Sequence, residues 1–351
     1  VTHRHDGGSA DDAAGQGSGA ADAPVAGPGA DGGGTSAGAG PAAGPAGSTR
    51  TASARRPAAH RSVGRSIVSG LGELLLTLGV VVLLLVVYEV YVTDLFGAQK
   101  QAAATEVLDE KWAEAGTAEV TVTAPGSTAG GTQTTAAPGS VDPKQQEVDP
   151  SKRTKKYSTE MGQGFAKLYI PSFGTDWTFT VIEGTDSEDL YTGPGHYVDS
   201  QFPGQPGNFA VAGHRVSKGS PFNDLGLLNA CDSIVVETQD DWFVYRVLPM
   251  QDQIAGWDAS KHPHCEGVSP LTGKYANTFG RSIVLPSDYA VVHPVPGSSS
   301  AEVPDKAERL ITLTTCHPQF SDRERMIIHG VLVRSYAKAP GFLPPELSAE
   351  S

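Results

Sequence analysis

The sequence predicts an all-β domain in the C-terminal half, a barrel or a sandwich, preceded by one membrane-spanning helix and a low-complexity tail. Three observations predict it. From Gly164 onward, short runs of β-branched, aromatic and aliphatic residues alternate with Gly, Pro, Asn and Asp clusters, the pattern of many short strands joined by turns. Ile67 to Val92 is dominated by Leu and Val. The first half is otherwise rich in Gly, Ala, Pro, Ser and Thr and poor in aromatics, so the 351 residues, long enough for two domains, hold one sizeable core.

Val1 to Thr49 cannot bury enough apolar surface to offset backbone ordering and reads as a solvated tail. Arg50, Arg55, Arg56, Arg61 and Arg65 form a basic cluster directly before the apolar run. Between Glu73 and Glu89 the run is uncharged for about 15 residues, and with its flanks it reaches about 26, enough to span with both glutamates near the interfaces. Tyr88 and Tyr91 stand where an aromatic belt belongs. A cleaved signal peptide ending at Ala102-Ala103-Ala104 is the rival reading, and the long preceding tail disfavours it. Positive charge on the N-terminal side predicts the tail in the cytoplasm and Thr93 onward outside.

Ala98 to Ala115 carries good helix formers and is expected to extend the membrane helix as a stalk; Gly116 to Pro150 reads as a linker. The expected organisation is a tail over residues 1–65, a transmembrane helix over 66–93, stalk and linker over 94–160, a folded domain over 161–338 and a C-terminal tail over 339–351. Within the domain, Ala166 to Ile170 and Trp177 to Ile182 read as strands and Asp186 to Tyr191 as a helical turn closing at Gly193-Pro194-Gly195. Phe209 to Ala212 is an apolar strand ending near His214. Ser220 to Leu228 is expected as a short helix with Ser220 as N-cap and Pro221 at its first position. Ser233 to Thr238 and Trp242 to Leu248 form a hairpin, Ser282 to Leu285 and Ala290 to His293 are short β candidates, and Leu310 to Thr315 and Met326 to Val333 close the set.

The chemistry gathers at the last two strands. Cys316 ends one, and Arg325 starts the next after a polar loop containing Pro318. A thiol at a strand end beside a cation is a place where a thiolate can be stabilised. About a hundred residues upstream, His214 ends another apolar run. Cys, His and Arg suffice for nucleophilic acyl transfer. His196, His293, His317 and His329 are rival histidines: His317 neighbours Cys316 but points to the opposite face, and His329 shares a face with Arg325 but lies further into its strand. Arg323 has the parity of Arg325, which is preferred because an aliphatic strand follows it directly. The net charge of −13, with no basic stripe outside one short cluster, argues against nucleic acid as a partner. Outside the membrane, Cys231 and Cys265 are free to form a disulfide; two unpaired buried thiols are the alternative. His262, His264 and Cys265 lie close together, but no second ligand pair follows at standard spacing, so no metal is expected.

Thr312-Leu313-Thr314-Thr315-Cys316 resembles the TLxTC signature of sortases, and Gly207 to Arg215 (GNFAVAGHR) looks like their histidine motif. Gly193-Pro194-Gly195-His196-Tyr197 is similar to the turn preceding that motif in the actinobacterial class E and related class D enzymes. The resemblance covers roughly Gly164 to Tyr336 and implies a closed sortase-type β-barrel with short helices. It implies Cys316 as nucleophile, His214 as general acid and base, and Arg325 as oxyanion donor, with no cofactor. It implies a peptide groove floored by the strands of Val211, Ala212, Leu313, Thr314 and Thr315. The expected partners are secreted proteins with a C-terminal sorting signal of the LPxTG or LAxTG type, cleaved between Thr and Gly, and an amine of the peptidoglycan precursor at the membrane surface. Against the family pattern, residues 250–288 look like an insertion of about 35 to 40 residues before the strands leading to Cys316. A non-catalytic wall-binding protein on the same barrel and a purely hydrolytic cysteine peptidase are the competing readings. An L,D-transpeptidase is disfavoured, since no SHGCIR-like signature is present.

Overall fold

Among the described residues, nine strands build the folded domain, and eight of them close a barrel. The computed structural model describes residues 63–120, 142–261 and 264–348. The expected tail before residue 63, most of the basic cluster and the middle of the linker lie outside them.

The strands are β1 (Gly164–Tyr169), β2 (Thr178–Glu183), β3 (Gly195–His196), β4 (Gly207–Ala212), β5 (Ser233–Glu237), β6 (Asp241–Val247), β7 (Arg281–Val284), β8 (Arg309–His317) and β9 (Glu324–Ala337). Their order is β6-β5-β1-β2-β3-β4-β8-β9, and β6 pairs with β9 to complete the ring. At 14 residues, β9 has room for two partners on its other edge: Arg325 to Ile328 pair with β7, and Gly330 to Ala337 with β6. The β2–β3 and β4–β8 pairs are parallel and the rest antiparallel. Strand alternation fills the barrel: Phe209 and Val211 of β4, Ile311 and Leu313 of β8, and Met326 and Ile328 of β9 share one core with Leu168, Val181, Val236, Phe243 and Tyr245.

Three expectations within the domain change. Ser220 to Leu228 is a set of turns with one 3-10 turn at Leu225–Leu227, not a helix. An N-cap needs an extended φ, whereas Ser220 sits at +40° and its hydroxyl donates backward to the Ser217 carbonyl at 3.1 Å. Ala290 to His293 belongs to a 3-10 turn, Tyr289–Val292, rather than a strand. The expected insertion over 250–288 includes β7 at its end, so barrel-edge structure takes up part of it.

The rest of that segment, among the described residues, is a run of turns fastened at Cys265. Cys231 and Cys265 are joined in a disulfide, Cα atoms 5.0 Å apart, buried with Val268 against Trp257 and Val333. The Trp257 indole donates to the Val268 carbonyl at 3.2 Å. Disulfide formation takes Cys265 out of the metal-ligand trio, and His262 lies outside the described residues.

Helix α1 (Val63–Val87) is exposed along its length, and Gly64 to Val87 is long and apolar enough to cross a membrane. It continues through a π-turn at Tyr88–Val92 into α2 (Thr93–Val120). Helix α2 lies against the barrel rather than standing off as a stalk. Leu108 is 2% exposed. Gln101 donates to the Thr192 carbonyl at 2.9 Å and to the Thr180 carbonyl at 3.2 Å, and accepts from the Thr180 amide. The β2–β3 pairing involves only Ile182 and Glu183, so at Thr180 a side chain takes the place of a neighbouring strand.

Candidate active site

The site forms where β4, β8 and β9 reach one rim together. Parallel pairing sets Ala212 level with Thr314, so two residues further His214 is level with Cys316. Past the strand, the Gly213 amide donates to the Thr314 carbonyl at 3.0 Å, and the Thr315 hydroxyl donates to the Gly213 carbonyl at 2.7 Å. These bonds hold the chain beside β8 up to the histidine. Gly213 has to be glycine, because a Cβ there would lie 2.5 Å from the Phe222 ring. On the other side, antiparallel pairing sets Cys316 opposite Arg325. Three neighbouring strands thus bring the three predicted residues to one level.

Alternation decides which predicted groove residues share the face of Cys316. Ala212 and Thr314 have the parity of His214 and Cys316, and Thr314 accepts or donates a 2.9 Å bond with the Tyr197 hydroxyl. Val211 and Leu313 point the other way and are fully buried in the barrel core. Thr315 is turned to Gly213. As side chains, Val211, Leu313 and Thr315 therefore do not line an open groove, a correction that follows from the period of two.

Cys316 is a free thiol and partly exposed. The His214 Nε2 is buried without a hydrogen-bond partner. Burial, helped by the nearby Lys218 ammonium, holds its imidazole below the ordinary histidine range. Arg325 donates through Nη1 to the carbonyls of Asp322 at 2.9 Å and Glu324 at 3.0 Å, which fixes one arm of its fork at the start of β9. Arg323 lies before β9, in the loop.

The rival histidines are engaged elsewhere. His196 is fully buried, with Nδ1 3.1 Å from both Glu183 carboxylate oxygens and Nε2 3.0 Å from the Ser200 hydroxyl. His293 donates from Nδ1 to the Ser298 carbonyl at 2.7 Å. His317 accepts from Arg215 at 2.9 Å. Thr312 donates to Asn208 at 2.7 Å, so the His329 Nδ1, 2.8 Å from the same hydroxyl, is a donor to it.

The chain is similar to known proteins over this same region. A family profile described as "Sortase domain" matches residues 168–333. The solved structure of the SrtF sortase from Corynebacterium diphtheriae is 44% identical, covering 59% of this chain and 100% of that one, with a TM-score of 0.50. The chain belongs to the sortase family. Among curated relatives, Sortase SrtE1 of Streptomyces coelicolor is 29% identical over 297 residues, 82% of this chain and 64% of that protein. Sortase SrtE2 of the same organism is 28% identical over 298 residues, covering 83% and 91% respectively. The match thus spans just under two thirds of SrtE1.

Two residues of this sortase site were present in the quoted motifs without being singled out. Arg215 follows His214 and donates to the Cys316 carbonyl at 3.3 Å and to His317, tying the histidine loop to the cysteine strand. Tyr197 ends the Gly193-Pro194-Gly195-His196-Tyr197 turn, and burial raises its phenol above the usual range. Its ring packs edge-on against Tyr289 at 5.9 Å. Tyr289 in turn lines a recess of about 1200 Å³ between β7 and the following loop, with His293 and His329 also in its wall. Cys316 does not line that recess.

Proposed function

We propose that the chain is a membrane-anchored sortase. It cleaves a sorting signal of the LPxTG or LAxTG type between Thr and Gly, and passes the acyl group to a cell-wall amine. The observation that carries this reading is that His214, just beyond β4, comes level with Cys316 of β8 and Arg325 of β9 at one rim. The competing non-catalytic barrel would have no use for a partly exposed free thiol level with a histidine whose buried nitrogen lacks a partner.

The His214 environment orders the proton transfers. An imidazole held below its ordinary range is mostly neutral near pH 7, so it begins as a base. The Cys316 proton moves to His214 as the sulfur bonds to the threonine carbonyl carbon. The Arg325 guanidinium stabilises the resulting oxyanion. His214 then returns the proton to the departing glycine amine as the C–N bond breaks, leaving a thioester on Cys316. The acceptor amine repeats the sequence: it attacks the thioester carbonyl, loses a proton to His214, and the restored cysteine takes that proton up.

The apolar span of α1 fits a single-pass anchor, and the arginines before it favour a cytoplasmic N-terminus with the barrel outside. The test uses the whole chain in detergent micelles, incubated with an LAxTG peptide with and without a glycine-type amine and followed by mass spectrometry. Cleavage after Thr, a ligated product only with amine, and no reaction by Cys316→Ala support the transpeptidase. Cleavage with no ligated product at saturating amine replaces it with a hydrolytic peptidase. An intact peptide across a panel of sorting signals favours the non-catalytic barrel.

A further inference from the structure

The loop after His214 has an unusual backbone. Ser217, Lys218, Gly219 and Ser220 all have positive φ, at 58°, 54°, 81° and 40°. Three of the four carry a side chain, and such residues are strained in this region unless their surroundings impose the conformation. The imposing contact comes from the first turn of α2. The Gly219 amide donates to the Asp94 carboxylate at 2.9 Å, and the Lys218 amide to the Thr93 hydroxyl at 3.4 Å. Gly97 lets the helix approach: a Cβ there would lie 2.7 Å from the Lys218 carbonyl carbon and 2.8 Å from the Gly219 nitrogen. Glycine inside a helix is less favourable than alanine, so a close backbone approach gives this one a physical reason. The dock is braced one turn further along, where Lys100 pairs with Glu188 at 3.0 Å and stands 4.3 Å over the Tyr191 ring, which Lys218 also approaches.

On these contacts we infer that Thr93, Asp94 and Gly97 are positioning residues for the catalytic histidine, and that the juxtamembrane helix is a working part of the active site. This role rests on the proposed function of His214. The segment from His214 to Ser220 is fixed at one end by the β4–β8 pairing and at the other by α2. The Phe222 amide returns to the His214 carbonyl at 3.0 Å and closes the loop on the histidine itself. Asp94 lies seven residues beyond Val87, about 10 Å along a helix, so the same contact holds the histidine loop close to the membrane end of the anchor. Releasing α2 lets the left-handed run relax and moves the imidazole from its place beside Cys316.

The experiment compares whole-chain variants in micelles. Asp94→Ala removes the acceptor, Gly97→Leu drives the helix off the loop, and Asp94→Asn keeps a side-chain oxygen for the Gly219 amide. The expected result is a loss in kcat of about tenfold to a hundredfold for the first two, with donor-peptide KM changed less than about twofold and most of the activity retained in Asp94→Asn. Hydrogen exchange at the Lys218 and Gly219 amides, expected to accelerate in Asp94→Ala and Gly97→Leu, reads the dock without catalysis. It therefore separates failure of this inference from failure of the transpeptidase reading. Unchanged exchange at both amides overturns the dock, and accelerated exchange with unchanged kcat overturns its role in positioning His214. Should Gly97→Leu fail to fold, the Asp94 pair alone decides.

Discussion

Two histidine clusters occupy this barrel, and the one that looks more like a catalytic triad is the one the site does not use. At the end of β3, His196 lies between the Glu183 carboxylate and the Ser200 hydroxyl, the connectivity of a serine hydrolase. It is sealed against Phe165, Phe202 and Phe209, and the Ser200 oxygen also accepts from the Ala210 amide. Every partner is satisfied within the fold, and no reacting atom can approach. At the rim, His214 has a buried nitrogen without a partner, and it stands level with Cys316, a partly exposed thiol. A fully satisfied buried network stabilises one structure; an unsatisfied nitrogen at the level of a nucleophile is available for proton transfer.

The largest expected effect breaks the comparison on the rim side. His214→Gln should lower kcat/KM for peptide cleavage by about 10²- to 10⁴-fold while the thermal midpoint stays near wild type. In the wild type, activity should fall on acidification along a limb whose midpoint lies below 6.5, because the depressed imidazole must be neutral to begin the reaction. Arg325→Lys should cost about 10²-fold in kcat/KM, since a point charge replaces a planar fork. An unaltered rate in this variant would remove Arg325 from the chemistry.

The next test breaks the comparison on the buried side. Glu183→Ala leaves the His196 Nδ1 without its acceptor and should lower stability by about 2–3 kcal/mol in urea unfolding, with the rate per folded molecule unchanged. A catalytic loss exceeding the loss of folded protein would mean that the two clusters are coupled. His329 sharpens the contrast at smaller scale. Burial pushes its imidazole down to about 4, so the unfolded chain takes up a proton near pH 6.5 that the folded chain refuses until about pH 4. Its contribution to stability is complete above 6.5 and fades as pH falls toward 4, by up to about 3 kcal/mol. His329→Gln should flatten that part of the stability-against-pH curve.

The amino-acid sequence alone determined the features that depend on neighbouring residues. Strand runs, the β5–β6 hairpin around Gln239 to Asp241, the apolar span and the short loop that sets Arg325 opposite Cys316 all follow from local pattern. Where local pattern misled, a distant contact was stronger. Ser220-Pro221 reads as a helix start, yet Ser217 to Ser220 are held in the left-handed region and α2 is bonded to that loop from more than a hundred residues away. Facing was available from the period of two, and it separates Ala212 and Thr314 from the buried Val211 and Leu313. Only the tertiary structure joined His214 to Cys316, because β4 and β8 are parallel neighbours separated by about a hundred residues and no local interaction encodes that pairing. It likewise chose the Cys231–Cys265 bridge and laid α2 along the barrel. These long-range contacts form because closing the barrel buries more apolar surface than any local arrangement can, and the strand order that achieves closure fixes which distant residues meet.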